Sequence, residues 1–187
     1  MNTLFLYRPF KSTIFLAFVL VALCSYLYFI EFPGKEKKKK AEEAKLTLFS
    51  FSESDITELT ITGSSQSVSL LQIPGHPETP WKITAPIDTV ADENAASSFA
   101  SMLAHLKIIR AIDENPLDLT PFGLNPPIYS VRIILKGSNS DLLEVGGDGL
   151  TGNDLYVRVG NAVYLVESGI KTYLEKPLKD WRRPRAV

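Results

Sequence analysis

Residues 129–166 read YSVRIILKGSNSDLLEVGGDGLTGNDLYVRVGNAVYLV, and their periodicity decides the fold. Over Tyr129–Leu135, the apolar residues Val131, Ile133 and Leu135 recur at every second position, the period of a strand with one buried face. Asp141–Val145, Asp154–Val159 and Val163–Val166 follow as further strands. Gly160-Asn161 joins the last two as a short hairpin connection. The stretch is an antiparallel meander. It also contains Gly147-Asp148-Gly149-Leu150-Thr151-Gly152, a literal G-x-G-x-x-G. A dinucleotide fingerprint needs a helix next, whose N-terminus receives the pyrophosphate. Here a strand pattern follows, and Asp148 would set a negative charge beside the phosphates. The six residues therefore read as a glycine-rich hairpin loop. Asp148, Asn153 and Asp154 offer oxygen ligands for a hard cation such as Ca2+. Their spacing fits no EF-hand loop, and loop-forming residue types explain them better.

Upstream lie two short strand-like runs. Ile56–Thr62 places Leu59 and Ile61 on one face with Glu58, Thr60 and Thr62 on the other. Ser67–Ile73 follows the turn Gly63-Ser64-Ser65, so the two make a hairpin. Trp81–Thr84 reads as a third strand, closed by Pro86. Then the period changes to that of a helix. Asp92 is a helix cap, and Ala96, Phe99, Leu103 and Leu106 fall on one stripe, with Met102 beside it, in a helix running to about Leu106. Lys107–Ile112 returns to a strand, and Ser168–Leu174 reads as a short closing helix. Strands, one long helix and a meander predict an α+β fold, an antiparallel-sheet domain with the helix packed on one face.

Pro116–Gly123 contains DLTPFG, a tight turn or short helix. The corner that follows is the best candidate for an interaction surface: Phe122, Gly123, Leu124, Asn125, Pro126 and Pro127. Two prolines restrict its backbone, and Phe122 and Leu124 flank the turn. A rigid connection whose apolar residues plug the core is the blander and stronger reading. Binding at its surface is the sharper one.

The N-terminal quarter follows other rules. Residues 13–30, TIFLAFVLVALCSYLYFI, carry no charge, and as a helix of 18 residues they would span about 27 Å, close to the thickness of a bilayer core. Tyr28, Phe29, Ile30, Glu31 and Phe32 provide no small-x-small cleavage site, so the segment reads as a retained transmembrane helix. Leu23 stands where lipoprotein signals place a small residue, which weakens a lipidated reading of Cys24. The expected organisation is a short flank over 1–12, the anchor over 13–30, a charged linker over 31–45, the α+β domain over 46–176 and a basic tail over 177–187.

Charge follows this division. Residues 1–45 carry 8 basic and 4 acidic side chains, and residues 46–187 carry 12 and 17. An acidic domain argues against nucleic acid as a partner. The single cysteine excludes an intramolecular disulfide. The two histidines, His76 and His105, could each be drawn into a Ser-His-Asp triad, but no G-x-S-x-G elbow supports it. No catalytic residue, metal or cofactor is assigned.

Trp81-Lys82-Ile83, Pro86, Ala91-Asp92, Leu103, Leu106, Asp118-Leu119, Phe122-Gly123-Leu124, Pro127, Val145-Gly146, Tyr156-Val157-Arg158 and Val163-Tyr164-Leu165-Val166 stand in an order and spacing that resembles an uncharacterised bacterial family of membrane-anchored domains, DUF4340. The resemblance implies a domain outside the cytoplasm, held on the inner membrane, and partners among ABC-type transport components like those of gliding-motility systems. It carries over no site residues. The lysines at 35, 37–40 and 45 would by the positive-inside rule place the domain in the cytoplasm; the family layout is preferred here. The expected function is therefore a non-enzymatic accessory protein of an ABC-type transport or envelope system. The alternatives are a domain that binds a small ligand or an envelope polymer and, least favoured, a hydrolase.

Overall fold

The computed structural model describes residues 47–64, 66–75 and 81–184, together with 15, 16, 19 and 20. The chain divides into two compact units, Met1–Lys45 and Leu46–Val187. In the first, the four described residues are helical, and Phe15, Leu16 and Leu20 are more than half exposed. The remainder of the expected anchor over 13–30, the flank over 1–12, the linker over 31–45, His76 and residues 185–187 lie outside the described residues. Among the described residues, no helix is long and apolar enough to cross a membrane.

The second unit contains β1 (Ile56–Gly63), β2 (Ser67–Gln72), β3 (Trp81–Ala85), β4 (Thr89–Val90), α1 (Glu93–Ala104), β5 (Ile108–Asp113), β6 (Tyr129–Leu135), β7 (Ser140–Asp148), β8 (Asp154–Val159), β9 (Ala162–Glu167) and α2 (Lys171–Leu174). The strands form one sheet in the order β4-β3-β2-β1-β6-β7-β8-β9-β5, and all neighbours are antiparallel. The fold is α+β.

Register explains which face is buried. Ile83, Leu70, Leu59 and Ile133 stand side by side across four strands, and Val68, Ile61, Val131 and Leu143 form the next row. Residues two apart on a strand share a face, so both rows line the same side. α1 covers that side with Ala96, Phe99, Ala100 and Leu103, all fully buried in the same cluster. Asp92 caps the helix as its sequence position requires, its carboxylate accepting the Ala95 N–H at 2.8 Å. The helix stops at Ala104, two residues before the expected end; Leu106 is buried all the same, in the connection to β5. The Trp81 indole N–H donates to the Ser97 hydroxyl at 3.2 Å and ties β3 to α1.

Two features had no counterpart in the sequence reading. One is β4, a two-residue strand on the outer edge of β3. The other is the packing of the segment drawn as a basic tail. Leu178–Trp181 forms a 3-10 turn, and Trp181 is fully buried, edge-on to Phe99 at 5.6 Å, while Tyr173 stacks on Phe99 at 5.5 Å. Beyond it, Asp92 N–H donates to Trp181 O at 2.8 Å and Arg183 N–H donates to Val90 O at 3.2 Å. These residues cover the free edge of β4. A basic composition concealed this, because Trp181 is the one buried side chain among the described residues of the segment.

Candidate functional site

The 122–127 corner sits on the sheet face opposite α1. Thr120–Phe122 is a 3-10 turn closed by Gly123, whose φ of 66° is left-handed and suits glycine. Asp118 accepts the Thr120 N–H at 2.9 Å, and this bond, followed by one from the Thr120 hydroxyl, holds its carboxyl below the usual aspartate range. Leu124 is buried, Phe122, Gly123 and Pro127 are half-buried, and Asn125 and Pro126 are exposed. Phe122 packs on Tyr156 of β8 at 5.2 Å.

The corner's backbone lies directly on β7. A Cβ at Gly123 would come within 2.7 Å of the Gly147 nitrogen, and a Cβ at Gly146 would collide with the Phe122 carbonyl oxygen. Ile128 N–H then donates to Val145 O at 2.8 Å. Glycines in the middle of a strand mark such close approach, and Gly146-Gly147 inside an otherwise regular strand was the signal available in the sequence.

β7 runs through Gly147 and Asp148, so the turn of the glycine-rich hairpin is confined to residues 149–153. β8 follows it, as the strand pattern required. Of the three residues that offer oxygen ligands, both carboxylates and the Asn153 backbone carbonyl are engaged elsewhere. Asp148 binds the Lys171 ammonium at 2.8 and 3.0 Å, which raises the lysine's pKa. Buried Asp154 accepts the Thr151 hydroxyl at 2.8 Å and its backbone carbonyl accepts the Gly149 N–H at 2.8 Å, locking the turn. The Asn153 carbonyl accepts the Ser168 N–H at 3.0 Å. Among the described residues no group of acidic, His or Cys side chains is arranged to hold a metal. Next to the hairpin, Arg158 of β8 pairs with Glu144 of β7 directly across the strands, and that carboxylate raises the guanidinium's pKa.

His105 is the C-cap of α1. Its Nδ1 lies 2.8 Å from the Ser101 carbonyl oxygen, a position it fills as a donor. It borders a groove of about 440 Å3 lined by Met102, Leu106, Ile170 and Tyr173, with Lys107 and Glu167 at the rim. A larger open cleft of about 580 Å3 lies at the other end of α1, lined by Asp92, Lys179, Asp180, Arg182, Arg183 and Pro184.

No curated protein matches the chain, and no solved structure does. The family model described as "Domain of unknown function (DUF4340)" matches residues 81–187, from the first residue of β3 onward and so including α1, the corner and the meander. The chain therefore belongs to the DUF4340 family.

Proposed function

We propose that this chain is a non-enzymatic, single-pass accessory protein of the bacterial inner membrane, with its sheet domain outside the cytoplasm, serving an ABC-type transport or envelope system. The observation that carries the anchor is the exposure of Phe15, Leu16, Val19 and Leu20 at 71%, 69%, 39% and 66%, helical apolar residues within a stretch of 18 without charge. Apolar side chains in that number need a non-aqueous environment. The accessory role follows the resemblance set out from the sequence. The transport partner is a proposal of the same kind.

Topology tests the first part. A reporter that is active only in the periplasm, fused after Val187, should be active, and the chain should stay in the membrane fraction through an alkaline carbonate wash. Activity from a cytoplasm-only reporter would instead uphold the lysine count. Purification from detergent tests the second part: recovery of ABC-type components supports the accessory role. The groove beside His105 favours a second reading, a domain that binds a small molecule, for which a ligand recovered with the protein is the sign. A hydrolase built on His105 would need a nucleophile or a water held at Nε2, since Nδ1 donates to the Ser101 backbone carbonyl.

A further inference from the structure

Basic residues in the domain are segregated. Residues 46–175 carry 7 basic and 16 acidic side chains, whereas residues 176–187 carry 5 basic and 1 acidic. In the sequence these read as a basic tail. The structure fixes the described part of them in place. Burial of Trp181, its edge contact with Phe99 and the pairing of 181–183 along β4 hold Lys179, Arg182 and Arg183 around the open 580 Å3 cleft. All three residues are exposed. The cleft also holds two carboxylates, Asp180 and Asp92, the latter accepting the Ala95 N–H as the helix cap. Three cations against two carboxylates leave the cleft net positive in a domain whose remaining sequence is acidic.

We propose that this face docks on an anionic phospholipid surface, that of the membrane holding the anchor; the choice of surface rests on the anchor reading above. A long polyanion such as nucleic acid would be repelled by the acidic remainder, whereas a flat bilayer need touch only the basic end. Lys and Arg within about a Debye length of anionic headgroups are attracted to them, and guanidinium forks match phosphate oxygens. The packed tryptophan means that little ordering accompanies docking.

The test uses the full chain in nanodiscs of phosphatidylcholine alone or with 30% phosphatidylglycerol, reading amide hydrogen exchange over residues 176–184. Exchange should slow in the anionic discs, return to the phosphatidylcholine rate in about 0.5 M NaCl as charge is screened, and stay fast in the triple variant Lys179→Gln, Arg182→Gln, Arg183→Gln. With added anionic vesicles, that variant should bind roughly 100-fold more weakly, about fivefold for each cation removed. Near-identical exchange in both lipids overturns the docking, including the case in which an acidic protein occupies the face instead. Failure of the anchor is seen separately, as loss of the chain from the membrane fraction in the carbonate wash. Salt-reversible binding to anionic vesicles would then still support the face, and its absence would overturn it. Unchanged exchange in β1 and β6 shows that the triple variant is folded.

Discussion

The two faces of the sheet are held by different means. On one face, α1 lowers Phe99 and Leu103 onto rows of Leu, Ile and Val, and stabilisation comes from the volume and apolar area that side chains remove from water. On the other face the corner presses backbone to backbone. Phe122 and Gly123 rest on Gly146 and Gly147, and Leu124, Val163 and Leu165 are buried apart from the main cluster. The first face tolerates small displacements of many atoms. The second has a gap that only a missing Cβ can provide. One face is sensitive to losing atoms and the other to gaining them.

The largest effect should come from removing atoms beneath the helix. Leu103→Ala, at a fully buried position, should cost about 2–5 kcal/mol in denaturant melts. A melt unchanged from the parent would mean that α1 contributes little to the face it covers. Adding an atom beneath the corner comes next. Gly146→Ala forces the new methyl into the Phe122 carbonyl and should cost about 1–3 kcal/mol. Gly147→Ala is the control, since its Cβ would stand at an ordinary 3.7 Å from the same oxygen, and it should melt like the parent. Equal effects at the two glycines would remove the distinction between the faces.

A smaller effect concerns acid. Asp118 has a folded pKa below the ordinary 3.8, so its contribution is complete above that value and is lost as pH falls through the lower folded value. The Thr120 amide resonance should therefore hold steady down to the ordinary aspartate range and shift only below it. A shift centred at or above 3.8 would mean that the turn bond does not form in solution. The smallest effect is expected at His105→Ala. The side chain is exposed, so the change should stay within about 0.5 kcal/mol. A folded His105→Ala protein without cellular activity would turn attention to the groove.

Much of the strand and helix layout was legible because it rests on local rules. Alternation marked β1 and β6, the turn after β1 marked β2, and Asp92 before an apolar stripe marked the helix start. The last turn of α1 was overestimated because Leu106 continues the stripe; burial at Leu106 is supplied by the connection and not by helix. The candidate corner was legible as a restricted turn. Its partner was marked only by the glycine pair Gly146-Gly147, since nothing in the 23 residues between Phe122 and Gly146 says which strand the corner meets.

By itself, then, the sequence determined the α+β class, the antiparallel meander, the capped helix, the exclusion of an intramolecular disulfide and the uncharged N-terminal stretch, because periodicity, capping and composition act between near neighbours. Only the tertiary structure decided three further things: that Trp181 makes a basic segment part of the core, that β4 gains a cover, and that Gly146 lies beneath the Phe122 carbonyl. Each depends on contacts between residues distant in the chain, where the deciding quantity is the space left between two surfaces once both have folded.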